Sequence, residues 1–410
     1  MNSNRIKQIF QETAKTIIQS GEVEALPGKR LFDKEYLLRG DILLWGVAAH
    51  AYQEACEGIT AVVSAEETWS RASVDDALAD FLARVVRAKP EARAEALQTA
   101  ASGIMRRFNG IPARWMVDLF VNGMDVGCAD LAFGEFSFLV APIDTPQYVQ
   151  RNFSLGQPTS LVMARTEVVA IDEKSAVERA RDLLEEHLGA LNFLCSDQVP
   201  SVIRLSHSSH VAQTYSIHRA GIPGEEPGEM RFQPVQNRFP LTRQDFLEAM
   251  EKRGGKRVSQ MLSDPPSEFS DRVLSGYVLA GGGCVDPWPE RRFLLLTIAL
   301  ESVALGKGSK SGITHQLGTR IAHLIGANFE GRRDVAGQMN RLYDRRSHIV
   351  HEGQTGVPSE EMYLLYCQVA LYMLVLSPTF SQMKTNADLD RWFGDRVLEA
   401  ESPPTMPGHD

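Results

Sequence analysis

Apolar residues recur at intervals of three and four along the first quarter of the chain and again along its last third. This spacing is typical of helices that bury one face. Residues 74–86 show the pattern with Val74, Leu78 and Val85, and Pro90 restarts a helix before an alanine-rich run. We therefore predict a mostly helical N-terminal region over residues 1–110.

Between residues 111 and 270 the apolar runs become shorter and alternate with turn residues. Trp115–Val121 is predicted to form a strand, and Asn122-Gly123 after it favours a hairpin turn. Four more strands are predicted at 133–140, 161–171, 202–205 and 211–218.

Helices are predicted within the same middle region. Asp172 caps a helix over 173–194, whose apolar residues form one stripe. A further helix is predicted over 241–261, and the glycines and prolines of 221–228 favour a loop. Residues 111–270 are therefore predicted to be an α+β region.

The last third begins after Gly281–Gly283 and Pro287-Trp288-Pro289. Helices are predicted at 292–305, 313–325, 335–350 and 359–376. Short polar connections favour an antiparallel helical bundle over 285–380. Residues 381–410 are predicted to be a partly disordered tail. The fold class is α+β, with a mixed helical and strand N-terminal region before a C-terminal bundle.

The charge and cysteine content narrow the classes of function. A net charge of −9 argues against a protein that coats nucleic acid, but it leaves room for a local basic pocket. The five cysteines form no Cys-x-x-Cys pair, which favours a reduced interior. The polar N-terminus and the apolar run 362–376, interrupted by Gln368, predict no export signal and no membrane span. We expect a cytoplasmic protein.

The candidate chemistry lies in residues 342–353, where Arg346, Ser347 and His351 follow one another closely. Arginine stays charged and its planar donors suit phosphate. Histidine both accepts and donates a proton near neutral pH. These two side chains are the minimum set for cutting a phosphodiester without a metal.

A run of residues around this segment resembles the Apea-like HEPN domain family. The resemblance covers about 285–378 and rests on Leu300-Glu301, 317–324, Leu342-Tyr343 and 346–351. It implies a helical bundle that often dimerises across the helices bearing the motif. Many members are metal-independent ribonucleases of toxin or antiviral defence systems, and others have lost cleavage. By the resemblance, Arg346 and His351 form the catalytic pair, and Ser347 fills the polar position after the arginine.

Helix geometry constrains this pair. Residues five apart on a regular helix point about 140° away from each other, whereas Ser347 and His351 share a face. Either the helix breaks near Arg346, or two copies face each other and pool their residues. We favour a homodimer, in which His351 takes the proton of the RNA's 2′-hydroxyl and Arg346 stabilises the charge on the phosphate.

Other interpretations of these residues remain open. Arg346 could pair with Asp344 or Glu352, and His351 could cap the helix end. Arg345 and His348 are alternative phosphate and proton groups, or solvated neighbours. Tyr343 could stack on a base or pack in the core.

The arginines around the motif form a local basic run. Arg332, Arg333 and Arg341 mark an RNA-backbone track or a solvated helix face. Glu301, in an apolar helix, needs a partner if it is buried, and we expect an arginine of the bundle.

We expect no cofactor and no metal. Gly306–Ser311 departs from the Walker phosphate-loop pattern, so a connection between helices is the prediction. His207, His210, His218 and Cys195 have no standard zinc spacing. The expected partners are RNA, a second copy of the chain and a regulatory protein.

Overall fold

The computed structural model describes residues 3–21, 23–25, 36–38, 42–44, 46–63, 69–108, 111–127, 130–140, 162–196, 204–205, 215–219, 241–286, 288–305, 312–352 and 360–401. The helices are α1 Ser3–Ser20, α2 Gly46–Val63, α3 Arg71–Arg87, α4 Arg93–Phe108, α5 Glu173–Leu194, α6 Arg243–Lys252, α7 Gly255–Ser263, α8 Glu268–Val285, α9 Pro289–Ala304, α10 Ile313–Ile325, α11 Phe329–Glu352, α12 Glu360–Leu376 and α13 Asn386–Glu401.

The strands are shorter and fewer than the helices. They are β1 Val23–Ala25, β2 Tyr36–Leu38, β3 Ile42–Leu44, β4 Ala113–Asn122, β5 Met124–Asp125, β6 Leu131–Phe133, β7 Phe136–Val140, β8 Val162–Ala170, β9 Arg204–Leu205, β10 Tyr215–Arg219 and β11 Leu241–Thr242. One sheet has the order β10-β4-β8-β7-β6, with β9 also pairing with β4. The protein is therefore a mostly helical α+β protein, as the sequence predicts at this coarse level.

The chain divides into two compact units. The first comprises Met1–Asp118, Thr166–Asp182 and Tyr215–Met230, and the second comprises the intervening and C-terminal residues. Strands β4 and β8 and helix α5 each pass from one unit to the other.

Helices α1–α4 build the core of the first unit. Their stripes of apolar residues meet there, and Phe10 lies edge-on to Phe81 with ring centroids 5.0 Å apart. The sequence predicts these helices, but not the small sheet of order β1-β3-β2 that lies between α1 and α2 in the chain.

Two helix starts in the first unit share one hydrogen-bonded cluster. Ser70 caps α3, and Asp172 Oδ1 accepts from the Ser175 backbone N–H, as the sequence predicts for α5. Ser73 Oγ donates to the same carboxylate at 2.8 Å, and Ser175 Oγ donates to Ser73 Oγ at 2.9 Å. These side chains satisfy backbone donors that a helix start leaves without partners.

The predicted hairpin at Asn122-Gly123 is wrong. Gly123 has a φ of +87°, but β5 after it pairs in parallel with β11 and not with β4. The two-residue hairpin lies further on, where Gly134 and Glu135 connect β6 to β7 inside the segment predicted as one strand. Gly134 has a φ of +58°, which glycine adopts at little cost.

Residues 241–261 also differ from the prediction, because the expected single helix is divided. Helices α6 and α7 are separated at Gly254, whose φ is +82°. The loop predicted at 221–228, and parts of the strands predicted at 202–205 and 211–218, lie outside the described residues.

The glycine run 281–283 was expected to separate two parts, but it lies inside α8. A Cβ on Gly281 would come within 1.8 Å of the Gly189 carbonyl oxygen of α5. On Gly283 it would approach Leu296 of α9. The glycines therefore let neighbouring helices approach closely rather than ending the helix.

Helices α9–α12 occupy the segments predicted for the bundle. Helix α8 packs along α9, α10 packs along α11, and α12 contacts α8, α9 and α10. Within the segment predicted as a partly disordered tail, residues 386–401 form α13 and bury Leu389 and Phe393. In the part of the chain that the structure describes, no helix is both long and apolar enough to cross a membrane.

Candidate functional site on helix α11

Helix α11 carries all the predicted site residues, and it is continuous from Phe329 to Glu352. The alternative of a helix break near Arg346 is therefore wrong. Met339 and Leu342 are its buried residues and define the face toward the bundle. Arg346 lies within about 40° of both, whereas His351 lies about 140° from Arg346. A single copy of the helix separates the proposed catalytic pair.

Arg346 is held by a carboxylate from a neighbouring helix. Its Nε lies 3.5 Å from Glu301 Oε1 of α9, and the two side chains are 23% and 20% exposed. This confirms the prediction that an arginine of the bundle pairs with Glu301. Arg346 therefore pairs with Glu301 and not, in this ion pair, with Asp344 or Glu352, the alternative partners that the sequence offers.

The environment of this pair is largely closed to water. Burial raises the pKa of the Glu301 carboxyl, and the nearby Arg346 charge opposes that rise. The Arg346 guanidinium also lies 5.7 Å from the ring centroid of Tyr343, within reach of a cation–π contact. Tyr343 therefore packs beside Arg346 and is only partly buried.

The histidines lie on the opposite side of α11. His351 is exposed in the last turn of the helix, and Ser347, one turn earlier, lies within about 40° of it. His348 is also exposed, with its Nε2 3.7 Å from Glu352 Oε1. The imidazoles are thus available to a ligand or to a second molecule from the side away from the bundle.

The other arginines of the segment are distributed around the helix. Arg333 and Arg341 are exposed on the same side as His351 and His348. Arg345 is half-buried. Arg332 turns back to the preceding loop, where its Nε donates to the Gly326 carbonyl at 3.4 Å. The exposed side of α11 therefore carries two arginines and two histidines, with Arg332 outside that set.

The remaining candidates stay apart from this site. Gly306–Ser311, His207 and His210 lie outside the described residues, His218 belongs to β10, and Cys195 is buried. Across the described ranges, no group of three or more His, Cys, Asp or Glu is placed to hold a metal ion.

One further buried charge in the same bundle is not among the residues predicted from the sequence. Arg272 of α8 is buried beside Asn386 and Asp390 of α13. The signal was present, because Arg272 precedes Val273-Leu274 in an apolar helix, as Glu301 follows Leu300. The glycines at 281–283 mask this signal, because in the sequence alone they favour a break after Arg272 and not a helix that continues through them.

No protein-family model matches the chain, and no curated protein or solved structure matches it either.

Proposed function

We propose that the chain is a metal-independent endoribonuclease of the HEPN type, which acts as a homodimer in the cytoplasm. The supporting observation is the arrangement on α11: Glu301 holds Arg346 in place, while His351 stands exposed one turn after Ser347. Because one copy keeps Arg346 and His351 on different sides, we place His351 of one copy against the 23% of the other copy's Arg346 side chain that stays exposed. A role in antiviral defence or as a toxin belongs to the same proposal.

The chemistry follows from the groups present. An imidazole of His351 accepts the proton of the 2′-hydroxyl, and the 2′-oxygen attacks the adjacent phosphorus. The bond from phosphorus to the 5′-oxygen breaks, and the partner copy's imidazole or a water protonates that oxygen. Arg346 stabilises the charge on the phosphate oxygens. The products are a 2′,3′-cyclic phosphate and a 5′-hydroxyl.

A second function is favoured by a specific observation. Arg346 is already paired within its own chain and points about 140° away from His351. This is the arrangement expected of a non-catalytic HEPN protein that binds RNA or a protein through the exposed side of α11. In either case the first unit is a candidate for the surface that selects the target.

The test is incubation of the pure full-length chain with end-labelled RNA in EDTA. We expect cleavage by the wild type, and a loss of at least about a hundredfold in Arg346→Ala and His351→Ala. RNA with a 2′-O-methyl group at the cut position should stay intact, because it lacks the internal nucleophile.

Matched controls separate the chemistry from general effects of charge. Arg391→Ala and His315→Ala remove an exposed arginine and an exposed histidine from other helices and should cut at the wild-type rate. Cleavage that Arg346→Ala and His351→Ala both retain would move the chemistry elsewhere. RNA binding without cleavage by the wild type would leave the non-catalytic function.

A further inference from the structure

Helix α12 carries no charged side chain beyond its start. From Met362 to Leu376 the sequence contains no Asp, Glu, Lys, Arg or His. A helix at the surface of a globular protein normally has a polar outer face, and a helix that is apolar all round is normally enclosed. The neighbouring α11 follows this rule, because its exposed positions include Arg333, Asp334 and Arg341.

Four large side chains of α12 are nevertheless exposed. Leu365, Val369, Met373 and Leu376 are 54%, 36%, 39% and 50% exposed. Among residues 364–376 no other position is exposed, so the outer face of this part of α12 has no polar side chain. The four lie within about 80° of one another and extend about 16 Å along the helix. We call this surface the α12 stripe.

Contacts on both sides of the α12 stripe hold it outward. On one side the Tyr366 hydroxyl donates to Gln338 Oε1 of α11. On the other, Gln368 Nε2 donates to Ser196 Oγ, just after α5, at 3.1 Å. The stripe therefore cannot turn inward about the helix axis without breaking both hydrogen bonds.

The absence of charge decides what kind of surface fits the stripe. A helix that lies on a membrane carries Lys or Arg beside its apolar face, and α12 has neither. Recognition of a different protein commonly uses complementary charges for specificity. A second copy of this chain, which has a net charge of −9, meets no like charge where stripe faces stripe.

The α12 stripe is also complementary to itself. In an antiparallel pair of α12 helices, Leu365 faces the partner's Leu376, and Val369 faces the partner's Met373. A small side chain then lies against a long one on both sides of the twofold axis, which favours this orientation over a parallel pair. A twofold contact requires such matching, because the same patch serves both copies.

The size of the stripe sets the expected strength of the contact. Its four side chains expose roughly 300 Å² per copy, whereas each partner contributes about 800 Å² to a standard interface. We therefore expect an association that is reversible and depends on concentration.

We propose that the α12 stripe binds the same stripe of a second copy of the chain, with the two helices antiparallel about a twofold axis. This contact is independent of the ribonuclease proposal, since none of its four residues belongs to α11. Where α11 also pairs, each copy has two twofold contacts, and the assembly grows beyond a dimer.

Sedimentation of the full-length chain over a wide concentration range measures the association. The twofold axis passes near the middle of the stripe, so Val369 lies close to the partner's Val369. Val369→Lys and Val369→Glu each place like charges there and should weaken association at least roughly tenfold. An equal mixture of the two variants brings opposite charges together and should restore association to within about threefold of the wild type.

Leu398 of α13 provides the matched control, because it is 67% exposed and lies outside the stripe. Leu398→Lys and Leu398→Glu should associate like the wild type, alone or mixed. Met373→Lys repeats the test if Val369→Lys does not fold. Val369→Lys should cleave RNA at the wild-type rate, so an absence of cleavage by the wild type counts against the ribonuclease proposal alone.

The proposal is wrong if the wild type stays monomeric at every concentration, because another molecule would then have to cover the stripe. It is equally wrong if Val369→Lys and Met373→Lys associate as tightly as the wild type. A mixture of Val369→Lys and Val369→Glu that associates no better than either variant alone would exclude a second copy as the occupant.

Discussion

Helices α1–α4 enclose a core of apolar side chains, whereas helices α8–α13 also enclose guanidinium and carboxylate groups. In the first set, Phe10 and Phe81 pack among apolar neighbours, and no buried charged side chain lies in the described parts of α1–α4. In the second, Arg272 is buried and the Glu301–Arg346 pair is largely so. Buried ion pairs are weak sources of stability, because each charge loses its hydration. The difference teaches that the C-terminal bundle carries groups that stability alone does not require.

Glycines sharpen the same comparison. Within the first set, a Cβ on Gly58 of α2 would have Ile9 at 3.8 Å, an ordinary contact. In the bundle, a Cβ on Gly281 of α8 would meet the backbone of Gly189. The bundle therefore depends on close helix crossings at glycine positions such as Gly281. At Gly58, the packing of α1–α4 leaves room for a methyl group.

The largest expected effect is that of Gly281→Ala. The added methyl would lie 1.8 Å from a carbonyl oxygen that cannot move without shifting α5, so we expect roughly 3 kcal/mol or more of destabilisation. Gly282→Ala meets only Leu295 at 3.8 Å and should stabilise the helix by about 1 kcal/mol. Urea unfolding measures both.

Gly58→Ala extends the test to the first set of helices, where we expect it to be neutral or stabilising by up to about 1 kcal/mol. Equal effects of Gly281→Ala and Gly282→Ala would show that the crossing of α5 and α8 is looser than described. A severe loss in Gly58→Ala would remove the contrast between the two sets of helices.

Acid should also distinguish the two units. In the second, His187 of α5 is fully buried and holds the β6–β7 turn: its Nε2 accepts from the Glu135 N–H at 3.3 Å, so its Nδ1–H donates to the Leu183 carbonyl at 2.7 Å. Burial lowers the pKa of His187 to about 4. In the core of the first, burial raises the pKa of Cys56 to about 12, and a thiol is neutral in acid in both the folded and the unfolded chain.

Between pH 6.5 and 4 the unfolded chain therefore protonates this histidine and the folded chain does not. Stability should fall as the pH falls through that window, by up to about 3 kcal/mol from His187 alone. Urea unfolding at pH 7 and pH 4.5 measures the fall, which should be smaller in His187→Gln. The exposed His50 of α2 is the matched control. If the loss of stability between pH 7 and pH 4.5 is as small in His50→Gln as in His187→Gln, the assignment to His187 is refuted.

Removing the Glu301–Arg346 ion pair should change the stability of the bundle less than the preceding variants. Glu301→Leu alone leaves Arg346 without its partner and should cost about 1–3 kcal/mol. The double variant Glu301→Leu with Arg346→Met replaces both charges by apolar groups and should recover most of that loss. Denaturant midpoints measure the stability, and the RNA assay measures the activity.

The proposed function predicts that the double variant is stable and inactive. If the double variant instead stays as unstable as the single one, the pair contributes to the fold itself. In that case the burial of Arg346 would no longer argue for a role in chemistry.

Residue patterns along the chain predict an element correctly where interactions within that segment determine its structure. Helix α5 and strand β8 follow from an apolar period and the Asp172 cap, and the partner of Glu301 follows from the cost of a buried carboxylate. The same patterns give a wrong prediction where contacts with a distant part of the chain determine the structure. Gly281 looks like a helix break until Gly189 is placed against it, and α13 looks like a tail until Phe393 is buried.

The candidate site shows the same limit. The sequence places Arg346 and His351 on one helix and predicts the angle between them, but the choice between a broken and a continuous helix needed the structure. Which surface a second copy would cover depends on residues scattered over several helices. No spacing within one helix encodes that choice.

The smallest expected effect is in the first unit, at a side chain that caps a helix. Asp172→Ala removes the acceptor for the Ser175 N–H and the Ser73 hydroxyl and should cost about 1 kcal/mol, the usual value of a helix cap. Asp172→Asn keeps an oxygen at the cap and should cost less. Neither variant should alter RNA cleavage, because the proposed catalytic residues lie in the other unit. A loss of cleavage at wild-type stability would mean that the first unit does more than fold.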